Sequence, residues 1–219
     1  MNTEEIEAVG SYLPAHSYVS LLDKGYTVFA LRHGSSPRYP LADIVGDLRR
    51  GVRYIRYYAS DYDVDAERIG VWGGSAGGHL SLLLATAPEP PISEPSEEFE
   101  SEPASVAAAV AYFPPTDLER FGTPQIRQAF PAMILNLEQA REFSPIRYVS
   151  AADPPSLILH GDADETVPYL EGQTMYEALR AAGVITELIT VEGSGHGFYG
   201  DDAVLANTAM VDWFEQHLN

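Results

Sequence analysis

Residues 68–80, RIGVWGGSAGGHL, decide the fold because they join a strand, a sharp turn and a helix. The apolar run at residues 69–72 predicts a short buried strand, and the two glycines after it predict a turn. The small and apolar residues at 76–87 predict a well-buried helix. Ser75 lies in the turn, within the pattern G-x-S-x-G. A strand–turn–helix context lifts a serine hydroxyl out of the sheet and places free helix N–H groups beside it.

The rest of the chain alternates between short β-branched or aromatic runs and segments of helical periodicity. Further strands are predicted at residues 26–31, 106–113, 156–160 and 186–191. Helices are predicted at residues 44–55, 170–182 and 203–218. This alternation predicts an α/β fold in one domain, residues 1–219, with a mostly parallel sheet of about five strands and helices on both faces.

Two segments interrupt the alternation. Residues 88–104 are rich in proline, serine and glutamate, which predicts an exposed and mobile insertion, with a functional lid as the alternative. Residues 121–145 are irregular but contain several apolar side chains. They are interpreted either as a small cap over a pocket or as a packed crossover.

Composition excludes several classes of function. The 219 residues contain 13 basic and 32 acidic side chains, a net charge of −19 that disfavours nucleic acids and anionic membrane surfaces. The absence of cysteine excludes a disulfide scaffold, a thiol nucleophile and a cysteine zinc site. The first nine residues carry three glutamates and no basic residue, unlike a signal peptide. A cytoplasmic location is therefore expected, although a missing N-terminus could have carried a signal.

Ser75 needs a general base to act as a nucleophile, and that base needs an orienting acid. Among six histidines, His196 lies in a glycine-flanked loop, GSGHGF, directly after the last predicted strand. Catalytic groups gather at this carboxyl edge of open α/β sheets, so His196 is predicted to be the base. Gly73 and Gly77 are expected to let the strand and helix around Ser75 pass closely. A capping serine in a glycine-rich turn is the alternative.

The acid is expected on the loop after residues 156–160. The sequence HGDADETVP there offers three carboxylates, those of Asp162, Asp164 and Glu165. Each precedes His196, which gives the chain order serine, acid, histidine.

These three stretches together resemble the α/β-hydrolase superfamily from about residue 21 to residue 198. Within it the sequence is similar to small carboxylesterases related to acetyl and feruloyl esterases, and to the catalytic domain of prolyl oligopeptidases. In the family pattern H-G-x-x-D-x-x-V-P, the aspartate four residues after the histidine is the acid. The resemblance therefore implies Asp164 as the acid and leaves Asp162 to tether the loop.

The sequence departs from this family at its N-terminus. The family usually has further strands before the point where this chain starts, and the last of them ends in an H-G-G-G-type loop that supplies oxyanion donors. That motif is absent and residues 1–31 resemble the helix and strand that normally follow it, so the chain is interpreted as truncated. The N–H group of Ala76 is one expected oxyanion donor. Gly34 or Ser35 is a hypothesis for the second donor, with an ordinary loop as the alternative.

The sequence thus predicts a serine esterase that hydrolyses small carboxylic esters through Ser75, His196, Asp164 and an acyl-enzyme, without metal or other cofactor. A prolyl oligopeptidase-like peptidase and a truncated hydrolase with little or no catalysis are the alternatives. Because His196 must be neutral to accept a proton, activity is expected to fall below about pH 6.5. The wall of the acyl pocket is predicted to be formed by Phe130, Met133 and Ile134.

The apolar run at residues 26–31 also bears on assembly. With the preceding strands absent, this run is expected to form an exposed edge strand, and exposed apolar edges invite pairing. A homodimer or higher homo-oligomer that covers this edge is therefore predicted. The only other partner expected is a small-molecule ester.

Overall fold

The computed structural model describes residues 15–32, 34, 38–89, 92–121 and 137–218. Its sheet has four parallel strands in chain order: β1 Gly70–Gly74, β2 Ala108–Tyr112, β3 Ser156–Gly161 and β4 Thr186–Val191. The α-helices of the described residues are α1 Ala15–Asp23, α2 Leu41–Tyr57, α3 Ala76–Thr86, α4 Leu118–Phe121, α5 Leu137–Glu142, α6 Leu170–Ala181 and α7 Asp201–His217. Short 3₁₀ helices lie at Ala59–Tyr62, Glu98–Ser101 and Pro145–Tyr148.

The burial of each strand agrees with its position in the sheet. Strands β2 (AAVAY) and β3 (SLILHG) are buried at every residue, because they lie in the centre with neighbours on both sides and helices on both faces. Strands β1 and β4 form the two edges and are only partly buried. The α/β class and the parallel sheet predicted from the sequence are therefore confirmed.

Alternate side chains of the central strands face opposite layers, as the strand period of two requires. Val110 and Leu159 pack with Met210, Trp213 and Phe214 of α7 on one face. On the other face, the buried side chains of β2 and β3 pack against helices α2, α3 and α6, in a layer that contains Ala109, Ala111, Ile158, Leu82, Leu84, Met175 and Leu179.

The strand predicted at residues 26–31 is wrong. These residues form no strand or helix, so the described sheet has four strands rather than about five, and no strand of the described residues pairs with the outer side of β1. The apolar pattern reflects packing instead, because Tyr26 and Val28 lie against the α7 core and the Tyr26 ring lies 6.5 Å from that of Phe214. A strand needs a hydrogen-bonding neighbour, and apolar side chains alone do not supply one. The assembly predicted from this edge stays a prediction.

The segment at residues 88–104 is exposed over most of its described length, yet arginines of α2 bind it at several points. Arg53 donates to the Glu102 carbonyl oxygen at 3.0 Å, and Arg56 donates to the carbonyl oxygens of Pro103 and Ser105. At the other end of the segment, Glu89 pairs with Arg49 at 2.6 Å, so the segment is fastened to α2 near both of its ends. Of the possible cap at residues 121–145, positions 122–136 lie outside the described residues.

Candidate active site

Ser75 occupies the turn between β1 and α3 in a backbone conformation that L-residues rarely adopt. Its φ is 54° and its ψ is −117°, and its N–H group donates to the Tyr112 carbonyl oxygen at 2.9 Å. The residue is half-buried, so the hydroxyl is held at the surface of the sheet's carboxyl edge. Strain of this kind persists only where the surrounding structure fixes it, and it is concentrated at functional sites.

The glycines around Ser75 are needed for close packing, but not all at the predicted positions. A Cβ on Gly73 would lie 2.5 Å from the carbonyl carbon of Gly77, which agrees with the expected close passage of strand and helix. A Cβ on Gly77 would meet nothing within 4 Å, whereas one on Gly78 would lie 2.9 Å from the Tyr112 carbonyl oxygen. On the helix side, the requirement for glycine therefore belongs to Gly78.

Ser75, His196 and Asp164 form one line of hydrogen bonds. Nε2 of His196 lies 2.9 Å from Oγ of Ser75, and Nδ1 of His196 lies 2.8 Å from Oδ2 of Asp164. Because a carboxylate only accepts, Nδ1 carries the imidazole proton, and Nε2 is left as the acceptor for the serine hydroxyl. The structure thus brings together the three side chains that the sequence singled out, in the tautomer that a general base requires.

Geometry also distinguishes Asp164 from Asp162 in the loop after β3. The Asp164 side chain is fully buried, and its Oδ1 accepts the N–H groups of Thr166 and Val167, each at 2.8 Å. Asp162 is exposed, and its Oδ1 accepts the Gly193 N–H at 2.6 Å in the loop that carries the histidine. The contact to the imidazole belongs to Asp164, while Asp162 ties the two loops together.

The loop that carries His196 is fixed by contacts that the sequence did not indicate. The Ser194 carbonyl oxygen accepts the Ala163 N–H at 3.1 Å, and the Ser194 hydroxyl donates to the Asp202 carboxylate at the start of α7. A Cβ on Gly161 would collide with the Ser194 backbone, which explains a glycine at the end of β3. Pairing between distant loops leaves no local pattern, so no sequence signal could have identified these residues.

Two buried histidines near the triad are neutral. Burial lowers the pKa of His79 to about 4, and burial also lowers the pKa of His160. Nε2 of His160 donates to the Val167 carbonyl oxygen at 2.9 Å and lies 3.5 Å from Oδ2 of Asp164. Because His160 is neutral, its contact with Asp164 is not an ion pair, and its role is to fix the turn that holds Asp164.

Phe113 is a further residue of the site that the sequence analysis missed. It directly follows β2, its φ is 38°, and its ring centroid lies 4.7 Å from that of His196. Its place at the carboxyl end of a central strand, just before two prolines, is the signal that could have indicated it.

Of the residues predicted to form the oxyanion hole and the acyl pocket, Ala76 and Gly34 lie among the described residues. Ala76 is exposed at the first residue of α3, where helix geometry leaves its N–H free to donate to a ligand. Gly34 lies under the Tyr39 ring, since a Cβ there would come 2.5 Å from that ring. The remaining predicted residues lie outside the described residues, namely Ser35, Phe130, Met133 and Ile134. The second donor and the pocket wall stay predictions.

The described ranges contain neither a candidate membrane span nor a candidate metal centre. No helix there is both long and apolar enough to cross a bilayer. In the same part of the chain, no three His, Asp or Glu side chains are grouped so as to hold a metal ion.

A parallel sheet that presents a serine on a strand–turn–helix junction, beside a histidine and an aspartate from later loops, defines the α/β-hydrolase class. Within that class the chain belongs to the BD-FAE family, whose model matches residues 8–179.

Comparison with individual proteins gives the same class. The chain is 31% identical over 176 residues to a probable carboxylic ester hydrolase, LipM, of Mycobacterium tuberculosis; the match covers 76% of this chain and 40% of LipM. The chain therefore spans less than half the length of this curated relative.

Two solved structures are also similar. An acetyl ester-xyloside bifunctional hydrolase from Caldicellulosiruptor lactoaceticus has a TM-score of 0.74 and 25% identity, with coverage of 82% of this chain and 68% of that one. Butyrate-bound esterase 2 from Thermogutta terrifontis has a TM-score of 0.65 and 29% identity, with coverage of 82% and 66%.

Proposed function

We propose that this chain is a serine esterase that hydrolyses small carboxylic esters through an acyl-enzyme. The observation that carries the proposal is the continuous hydrogen-bonded line from buried Asp164 through His196 to half-exposed Ser75. A buried carboxylate, an imidazole in the accepting tautomer and a reachable hydroxyl are the three parts that nucleophilic acyl transfer requires.

In the first half-reaction, Oγ of Ser75 attacks the acyl carbon while Nε2 of His196 takes the hydroxyl proton. The imidazolium that forms is stabilised by the Asp164 carboxylate, which accepts from Nδ1. The oxyanion of the tetrahedral intermediate lies at the N-terminus of α3, where the Ala76 N–H donates to it. Collapse breaks the ester bond, and the leaving alcohol takes the proton from Nε2, which leaves an acyl group on Ser75.

Water completes the cycle by the same steps. Nε2 of His196 takes a proton from water, the hydroxide attacks the acyl-enzyme, and the carboxylic acid leaves as the proton returns to Ser75. All proton transfers pass through one ring nitrogen, so the position of the imidazole controls both halves of the reaction.

The relatives support a short acyl group. One structural neighbour is named for an acetyl ester, and another is an esterase with bound butyrate. We therefore propose acetyl to butyryl esters as the substrate range of this chain. This range agrees with the small-ester class predicted from the sequence.

Trapping the acyl-enzyme tests the proposal. The purified protein is mixed with excess p-nitrophenyl acetate, quenched in acid and examined by intact-mass and peptide mass spectrometry. One added acetyl group on the peptide that contains Ser75 is expected, and none in Ser75→Ala. A peptide p-nitroanilide is assayed beside p-nitrophenyl acetate as the substrate expected of a peptidase. Faster turnover of the anilide than of the ester would assign a peptidase instead.

A further inference from the structure

Phe113 has a strained backbone at the carboxyl edge of the sheet. Its φ of 38° lies in the left-handed region, which is unfavourable for a residue with a bulky side chain. Its N–H group still donates to the Leu159 carbonyl oxygen at 2.7 Å, so the residue remains attached to β3. The strain is therefore imposed by the loop after Phe113 rather than by a frayed strand end.

Two buried side chains hold this loop, residues 113–117. Nδ1 of His79, in α3, donates to the Pro115 carbonyl oxygen at 3.0 Å. Oε2 of Glu171, in α6, accepts the N–H groups of Thr116 and Asp117, each at 2.8 Å. The loop is thus fixed from the helix after the serine and from the helix after the Asp164 loop.

The ring of Phe113 fills the space between the serine turn and the base. It meets the His196 imidazole at 4.7 Å between centroids with an interplanar angle of 62°, and the Phe198 ring at 5.0 Å and 75°. A Cβ on Gly74 would lie 3.2 Å from Cζ of Phe113, so the ring tip occupies the place of a side chain at Gly74. These are the tilted, edge-on geometries that aromatic pairs prefer.

We propose that Phe113 is a positioning residue, whose ring holds the His196 imidazole at the tilt that lets Nδ1 reach Asp164 while Nε2 reaches Ser75. The proposal rests on the proposed esterase function. The contacts of Gly193 and Ser194 hold the backbone of the loop, but the His196 side chain is 23% exposed, so the loop backbone alone does not set the tilt of the ring. Two hydrogen bonds fix the ends of the imidazole, and rotation about the line that joins them is restricted by packing alone.

Substitution of the ring gives the first test. Phe113→Gly, which accepts the left-handed φ, is expected to lower kcat for p-nitrophenyl acetate about 10- to 100-fold per folded molecule, because small misplacements of reacting groups have effects of this size. KM is expected to change less than about threefold, because the substitution does not alter contacts that bind substrate and transition state equally. Phe113→Leu keeps apolar bulk and is expected to lie between the two. Phe99→Gly, at a remote ring beside Tyr54, is the matched control.

A methyl group added at Gly74, which faces the tip of the Phe113 ring, gives an independent test. Gly74→Ala is expected to push the Phe113 ring by a few tenths of an ångström and to lower kcat several-fold. In the Phe113→Gly background the same methyl has no ring to displace, so Gly74→Ala is expected to have no further effect there. Additive effects of the two substitutions would show that the ring and Gly74 act separately.

The decisive readout does not depend on turnover. The proton on Nδ1 of His196 that is bonded to Asp164 is expected to give a low-field proton resonance in NMR, assigned by its loss in Asp164→Asn. We expect this resonance in the unsubstituted protein and in Phe99→Gly, and its broadening or loss in Phe113→Gly. An unchanged resonance and a kcat within twofold in Phe113→Gly would overturn the proposal. Loss of the resonance in a chain that hydrolyses no ester would retain the positioning role and refute the esterase function.

Discussion

The two ends of the sheet both bury charged side chains, but they use them differently. At the carboxyl end, buried Asp164 binds His196, whose second nitrogen reaches the half-exposed hydroxyl of Ser75. At the amino end, buried Arg53 and Arg56 donate to backbone carbonyl oxygens of the segment that leads into β2.

The partners of the buried charges distinguish a candidate active site at the carboxyl end from a structural attachment at the amino end. Arg56 donates to backbone carbonyl oxygens, and Arg53 donates to a carbonyl oxygen and to the exposed Glu89 carboxylate. None of these contacts leads to an accessible nucleophile, so the arginines hold the chain. Asp164 instead contacts a titratable ring that reaches an accessible hydroxyl, so a proton can move between Ser75 and His196. The kind of partner that a buried charge meets therefore indicates function better than burial does.

The largest effect is expected from a substitution in the hydrogen-bonded line at the carboxyl end of the sheet. Asp164→Asn is expected to lower kcat about 10³- to 10⁴-fold, because an amide no longer selects the tautomer that accepts from Ser75. Asp162→Asn is the matched control, since its Oδ1 can still accept the Gly193 N–H, and less than about a tenfold loss is expected. Steady-state hydrolysis of p-nitrophenyl acetate measures both. Equal losses in the two variants would contradict the assignment of the acid.

The second prediction concerns removal of the arginine contacts at the amino end of the sheet. Arg56→Met is expected to lower the free energy of unfolding by about 3–4 kcal/mol, because it leaves three carbonyl oxygens without their donor. The kcat of the folded fraction is expected to stay unchanged. Urea denaturation and hydrolysis assays on the same samples measure the two quantities.

Arg50→Met is the control for that prediction. Arg50 is 47% exposed and pairs with Glu100 at 3.1 Å, so its loss is expected to change stability far less. A loss of kcat in Arg56→Met at full folding would show that the amino end takes part in the site.

The third and smallest effect concerns His79, which joins the serine helix to the loop after β2. Its pKa is about 4 in the folded chain, because burial disfavours the charged ring, and about 6.5 in an unfolded chain. The unfolded state therefore binds the proton first as the pH falls. The contribution of neutral His79 to the free energy of unfolding is therefore complete above about pH 6.5 and is lost progressively as the pH falls toward 4.

Comparing pH 7.5 with pH 5 isolates this contribution. His79→Gln is expected to reduce the difference in unfolding free energy between the two pH values by about 2 kcal/mol. His217→Gln, at a half-buried histidine in α7, is the control and is expected to reduce the difference less. An unchanged difference in His79→Gln would show that His79 does not titrate as its burial implies.

The sequence predicted those parts of the molecule that local pattern determines. The strands after residue 69 and the helix after Ser75 were located within about two residues, because apolar runs and turn residues mark their ends. The loops that carry the base and the acid followed from the rule that parallel strands bring their carboxyl ends together, whereas the choice of Asp164 among three carboxylates followed from the family resemblance.

The remainder depends on partners that are distant in sequence. Residues 26–31 have strand-like composition but no strand beside them, and composition does not report a neighbour. Likewise, the positive φ of Phe113 and the contact of Ser194 with Asp202 arise from loops that meet only in three dimensions. The requirement for glycine at Gly78 rather than at Gly77 depends on where Tyr112 lies.

The most direct test of the esterase account is hydrolysis of p-nitrophenyl acetate by the purified chain beside two serine variants. The unsubstituted protein and Ser60→Ala, at an exposed serine, are expected to turn over equally. Ser75→Ala is expected to retain its fold and to lose more than about 10³-fold in kcat. Turnover in Ser75→Ala at the rate of the unsubstituted protein, or none in any of the three, would contradict the account.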